Sequence, residues 1–145
     1  MKPDVLMTRV STPAVTEALE RRFTVHKLWE AKDRTGFLKE IGPRIRGIAT
    51  DGGAGASADL MRALPKLEVV AVNGVGVDAV DLAYAREHGI VVANTPDVLT
   101  EDVADMALVL LLAASREIVA GDAHVRTGAW EREGNRPLSR RVNGK

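Results

Sequence analysis

Glu68-Val69-Val70-Ala71-Val72-Asn73-Gly74-Val75-Gly76-Val77-Asp78 is the stretch that decides the fold. A short, nearly continuous apolar run reads as a parallel strand covered on both faces, and the glycines after it read as a tight turn at its carboxyl end. The next segment follows the same plan. Asp81 starts a helical pattern over Leu82–His88, Gly89 stops it, and the apolar run Gly89–Ala93 leads into Asn94-Thr95-Pro96-Asp97-Val98-Leu99-Thr100-Glu101-Asp102-Val103-Ala104-Asp105. Working back towards the N-terminus, strands are expected at Asp4–Thr8, Thr24–Leu28 and Gly47–Thr50. Between them Thr12 and Pro13 open a helix over Ala14–Arg22, and Ser57 caps another over Ala58–Leu64. Asp33 to Ile41 is a weaker helix, because Gly36 costs about 1 kcal/mol relative to alanine. Working forward, Thr100 is expected to cap a long helix running to about Ala120, with Glu101 and Asp102 at its positive end. From Arg126 the pattern lapses into what reads as an exposed arm or linker. Alternation of this kind predicts an α/β fold, a flavodoxin-like, doubly wound, five-stranded parallel sheet with helices on both faces.

Composition narrows the function. A chain of 145 residues suffices for one domain with a sizeable core. Zero formal net charge argues against nucleic acid or an anionic membrane as partner, and 3% aromatics against a base-stacking platform. The lack of cysteine excludes disulfides, thiolate zinc sites and a cysteine nucleophile. No metal-ligand cluster is evident. The most apolar run, Met106–Ala114, is far short of the roughly 20 residues of a membrane span and is expected to be a buried helix. Met1-Lys2-Pro3-Asp4 has no charged region leading into an apolar one, so a cytoplasmic protein is expected.

The glycine turn is open to three readings. Gly74-x-Gly76-x-x-Ala79 matches the outline of a dinucleotide fingerprint. Against it, the strand is the fourth rather than the first, Asp78 would face a pyrophosphate, and the next strand ends at Asn94 rather than at an acidic ribose ligand. A second reading is a nest of backbone N–H groups that binds a small anion such as a carboxylate. A third is a structural turn in which glycine only permits positive φ.

Several spaced blocks agree, in order, with one family. Leu64-Pro65-Lys66-Leu67-Glu68, Gly74-Val75-Gly76-Val77-Asp78, Val80-Asp81-Leu82, Gly89-Ile90-Val91-Val92, Asn94-Thr95-Pro96-Asp97-Val98-Leu99-Thr100 and Val103-Ala104-Asp105 resemble the substrate domain of D-isomer-specific 2-hydroxyacid dehydrogenases of the glyoxylate/hydroxypyruvate reductase type. The resemblance implies reduction of small 2-keto acids to D-2-hydroxy acids with NAD or NADP, bound mainly by a separate Rossmann domain. It implies that the amides of Val75 and Gly76 hold the substrate carboxylate, that Asn73 tunes the pocket or braces the turn, and that the loop at Gly52 approaches the substrate's variable group. Asp78 is expected to hydrogen-bond backbone. Thr100 is expected to touch the cofactor through its hydroxyl as well as to cap its helix, and Asp105 to face the cleft or make a buried hydrogen bond. The family's catalytic arginine and its histidine–acid pair have no counterpart here, so the chain alone is expected to be inactive. His26, His88 and His124 are expected to be structural or solvated. Trp130 is open to two readings, one reaching a partner subunit's active site and one packing on its own linker; the resemblance implies a homodimer. The expected division is a substrate-binding domain over 1–121 and an arm over 122–145, leading to a cofactor domain that would begin where the chain stops.

Two rivals belong to other classes. One is a stand-alone carboxylate-binding module. The other is a phosphoacceptor receiver domain, because Asp51 ends the third strand; Leu6-Met7-Thr8-Arg9 supplies no acidic pair for magnesium, however, and Asn94-Thr95-Pro96 no lysine.

Overall fold

The computed structural model describes residues 2–144, so Met1 and Lys145, the ends of the expected ranges, lie outside it. In chain order the elements are β1 (Asp4–Met7), α1 (Pro13–Arg22), β2 (Thr24–Lys27), α2 (Arg34–Ile41), β3 (Ile45–Asp51), α3 (Ala58–Arg62), β4 (Val69–Asn73), α4 (Leu82–Glu87), β5 (Val91–Ala93), α5 (Thr100–Arg116), α6 (Ile118–Arg126) and α7 (Ala129–Glu133). The five strands form one sheet in the order β2-β1-β3-β4-β5, and every pairing is parallel. This is the doubly wound, flavodoxin-like order, as expected.

Local chemistry explains the helix starts. Thr12, Ser57 and Asp81 cap α1, α3 and α4, each side-chain oxygen accepting from the N–H three residues on. Asp33 does the same for Gly36, and a Cβ on Gly36 would collide with that carboxylate. The residue that weakens α2 by propensity is thus the one that lets its cap close.

Topology sets what is covered. The β1-to-β2 crossover runs one way along the sheet and the other three run the opposite way. Right-handed crossovers therefore put α1 alone on one face and α2, α3 and α4 on the other. The core follows this division. Leu6, Ile45, Ile48, Val70 and Val72 pack with Leu60, Met61 and Leu64 of the α3 region and Ala85 of α4, whereas α1 buries no residue. On the thinly covered face, Ala71 of β4 is exposed.

By internal contacts the chain divides into Met1–Asp97 and Val98–Lys145. This boundary falls before α5, whereas the expected one fell after residue 121. Within the second unit four expectations need correction. The Met106–Ala114 run is helical but not buried: α5 has no buried residue, and Met106, Leu108, Leu110 and Leu111 are all at least half exposed. A strongly helical apolar sequence forms the helix by propensity, whether or not its apolar face is covered. Asp105 is likewise exposed, and its side chain makes no hydrogen bond among the described residues. The single long helix is broken at Glu117, which takes a left-handed conformation (φ 50°) and is held by Arg136, whose Nη2 lies 2.8 Å from Glu117 Oε2. The expected arm is also more ordered than its sequence suggests. It contains α7, His124 Nε2 donates to the Gly134 carbonyl at 2.8 Å, and Arg116 donates to Ser139.

Candidate functional site

The Val75–Gly76 turn leaves the carboxyl end of β4, between the loops that follow β3 and β5. Its first glycine is demanded by the backbone, since Gly74 has φ +149°. Its second is not. Gly76 has ordinary φ, and a Cβ there would meet only Asp78 Oδ2, at 3.4 Å. Neither strain nor crowding explains glycine at 76, which leaves the amide side of the turn open to something else.

Carbonyls in the turn are engaged while two of its amides are not. The Gly74 carbonyl accepts from Thr95 N–H at 2.9 Å, and the Val75 carbonyl from Asn94 Nδ2 at 2.8 Å. Gly74 N–H donates to Thr95 Oγ1 at 3.0 Å. Among the described residues no hydrogen bond accounts for the N–H of Val75 or of Gly76, and both residues are exposed. Adjacent unpaired N–H groups in an exposed turn form an anion-binding concavity.

The loop after β3 packs against this turn. Asp51 Oδ1 accepts from Gly53 N–H (3.0 Å) and Ala54 N–H (2.7 Å), and Oδ2 lies 3.4 Å from Arg9 Nη1. The Ala54 amide first, and then the Gly53 amide and the Arg9 charge, hold the Asp51 carboxyl below its ordinary pKa. Beside it a relay is centred on the buried Thr50: Thr8 Oγ1 donates to Thr50 Oγ1 at 2.7 Å and Thr50 Oγ1 donates to the Gly55 carbonyl at 2.9 Å. Gly52 sits so close to the turn that a Cβ would come 3.0 Å from the Gly76 carbonyl. Ala56 then bridges to Val80, with Ala56 N–H donating to the Ala79 carbonyl. Beside the loops, between α1 and the strand ends, lies a cleft of about 710 Å³ lined by Arg9, Thr12, Val15, Asp51, Asn73 and Thr95 among others.

The structure thus brings Gly52, Asn73, Val75 and Gly76 to one edge, with Asn73 paired to Asp51 in the sheet register. Thr100 belongs to the other contact unit. It is the first residue of α5 rather than its cap: Leu99 holds the cap position, with no side-chain cap bond. Thr100's hydroxyl makes no hydrogen bond among the described residues. Asp78, expected to bond backbone, makes none there either. The histidines are held structurally: His26 lies 2.7 Å from Asp4, and His88 donates to the Tyr84 carbonyl and stacks on that ring. Trp130 donates its indole N–H to Asn135 within its own unit. Sequence reading assigned no role to Asn94 or Arg9. The available signal was position, since both lie just past the carboxyl ends of strands that converge on the glycine turn.

The glycines also stand apart from a helix start. The N-terminus of α4 is capped by Asp81, whose carboxylate accepts from Tyr84 N–H at 2.9 Å, so a carboxylate holds the helix start where a dinucleotide fingerprint would bring a pyrophosphate. Residues 5–134 match the model of the D-isomer specific 2-hydroxyacid dehydrogenase catalytic domain. The chain belongs to that family.

Relatives match nearly the whole of this chain in sequence, and solved ones share its fold. A 2-ketogluconate reductase of Gluconobacter oxydans is 46% identical over 99% of this chain and 45% of its own length. A glyoxylate/hydroxypyruvate reductase of Arabidopsis thaliana is 40% identical over 97% and 45%. Among solved structures, a 2-hydroxyacid dehydrogenase from Ketogulonicigenium vulgare superimposes with TM-score 0.89 at 50% identity, covering all of this chain and 46% of its own. An NADPH-dependent glyoxylate/hydroxypyruvate reductase from Sinorhizobium meliloti, solved with NADP and malonate, gives 0.87 at 40%, covering all of this chain and 44% of its own. The chain therefore spans just under half the length of the dehydrogenases it matches.

Proposed function

We propose that this chain is the substrate-binding part of a reductase that converts small 2-keto acids, glyoxylate and hydroxypyruvate foremost, to D-2-hydroxy acids with NADH or NADPH. The observation that carries this reading is the pair of unpartnered N–H groups at Val75 and Gly76, exposed at the carboxyl end of a central strand. A carboxylate accepts from two such donors without any cationic side chain, and the bare Cα of Gly76 leaves room for it to approach. Gly52, on the neighbouring loop, would face the substituent that distinguishes one keto acid from another, and Asn73 would shape the floor.

Thr100, with its hydroxyl uncommitted, is the position in this chain assigned to the cofactor. When bound, the nicotinamide supplies the hydride. The proton-transferring and carbonyl-polarising side chains are assigned to parts of the protein outside this chain, so the chain alone would be inactive. The segment 122–145 is proposed as an arm, and the intact protein as a cytoplasmic homodimer without nucleic-acid or membrane partners. No helix among the described residues is long and apolar enough to cross a membrane.

The test is an NAD(P)H-oxidation assay on the full-length protein with hydroxypyruvate and glyoxylate. Gly76→Val, which places a branched side chain over the amides, is expected to abolish turnover. Unchanged kcat/KM in that variant would refute the carboxylate assignment.

A further inference from the structure

The two amides assigned to the substrate carboxylate are aimed from behind. A trans peptide unit is planar, so its C=O and N–H point in opposite directions. The Gly74 carbonyl and the Val75 N–H belong to one such unit, and the Val75 carbonyl and the Gly76 N–H to the next. No cis peptide occurs among the described residues. Both carbonyls are grasped by the segment that follows β5, Gly74 by the Thr95 main chain at 2.9 Å and Val75 by the Asn94 side chain at 2.8 Å.

Sheet register explains why a side chain is needed. The pairing of β4 with β5 ends at Ala71 with Ala93, while β4 runs on to Asn73. Beyond Ala93 no ladder remains on the β5 side of β4, whose last residues pair only with β3, and the turn after β4 lies past both ladders. Asn94 and Thr95 hold that turn with bonds that fall outside the ladder pattern.

We propose that Asn94 is a positioning residue for substrate binding: with the Thr95 main chain it pins two successive carbonyls to one side of the turn, so that the Val75 and Gly76 N–H groups both face the other side, as an anion receptor requires. Hydrogen bonding at the carbonyl also polarises the peptide unit and makes its N–H a stronger donor. The bond from Asn94 is neutral and points away from the anion site, so it orients the amide without competing for the substrate. The inference rests on the reading of Val75 and Gly76 as carboxylate ligands.

The experiment uses the full-length enzyme and oxamate, a carboxylate that resembles the keto acid but is not reduced. Asn94→Ala is expected to raise the KM for the keto acid and the inhibition constant of oxamate together, by about 5- to 10-fold, the loss of one neutral hydrogen bond. The KM for NAD(P)H and the melting temperature are expected to stay near wild type. Asn94→Asp keeps the shape but turns the donor into an acceptor against a carbonyl, and is expected to weaken oxamate further. An unchanged oxamate constant in both variants overturns the proposal, as does an equal rise in the KM for NAD(P)H, which marks a general structural loss. Gly76→Val separates the two layers. If it destroys oxamate binding while Asn94→Ala leaves it intact, only the positioning role fails. If it leaves oxamate binding intact, the amides are not the receptor and both readings fail.

Discussion

Replacing Gly55 with alanine tests whether the loop after β3 truly lies on the chain that follows the glycine turn. Gly55 has φ +57°, where a Cβ-bearing residue loses about 1 kcal/mol or somewhat more. It also abuts the Ala79 backbone so closely that the new Cβ would overlap the Ala79 carbonyl group. Relief requires the two segments to part, which puts three hydrogen bonds at risk: Ala56 N–H to Ala79 O at 3.0 Å, Asp81 N–H to Ala56 O at 2.9 Å, and Thr50 Oγ1 to Gly55 O at 2.9 Å. At roughly 1 kcal/mol each, losing two or three of them brings the total to about 3–4 kcal/mol. Gly89→Ala is the matched control. Its φ is +68°, but a Cβ there meets nothing within 4 Å, so only the backbone cost of about 1 kcal/mol applies. Urea unfolding followed by far-UV circular dichroism measures both, and the corresponding melting-temperature losses are about 10–15 °C and about 3–5 °C. Equal losses in the two variants would refute the close approach of residue 55 to residue 79, and with it the support of the candidate site from this side.

Thr50→Val removes the buried centre of the relay and leaves the Gly55 carbonyl without its donor and Thr8 without its acceptor; a loss of about 1–3 kcal/mol is expected by the same unfolding measurement. Because the folded pKa of Asp51 lies below its unfolded value of about 3.9, the stabilisation from its charge is fully present above that value and is lost as pH falls through the lower, folded pKa. The stability difference between wild type and Asp51→Asn, followed from pH 7 downwards, is therefore expected to hold steady and then shrink below about pH 4; a difference that grows on acidification contradicts the assignment. The exposed apolar face of α5 predicts concentration-dependent association of the 145-residue chain, and replacing Leu108 and Leu111 together with glutamate is expected to reduce it in sedimentation velocity.

The sheet was legible because its strands are short apolar runs bounded by helix caps that act locally. Thr12, Ser57 and Asp81 each bond an amide three residues away, so their sequence neighbourhood contains the whole interaction. Burial of α5 was misread because an apolar run reports what a helix needs, not whether a cover is at hand. The break at Glu117 was hidden for a related reason, since its holding partner, Arg136, lies outside any helical period. The amide pair was recognisable through the family's glycine turn. The bracing by Asn94 was not, because it depends on the pairing with β5 ending at Ala71, short of the Asn73 end of β4, which no pattern within either strand reveals.

The strand order carries a consequence for how the chain comes to be folded during synthesis. β1 is made first but ends up interior, and its second neighbour, β3, is complete only at Asp51. At roughly 5–20 residues per second, the ribosome leaves β1 with one open edge for on the order of several seconds. Over that interval only β2 can occupy a side of it, and the β1–β2 pair must wait as a two-stranded ribbon, marginal by itself. The same delay applies at each later step, because every parallel pairing needs an intervening helix to be made first. Folding of this unit is therefore paced by translation from one edge of the sheet to the other, and a nascent chain halted shortly before residue 45 would display the bare flank of β1 to any other strand nearby.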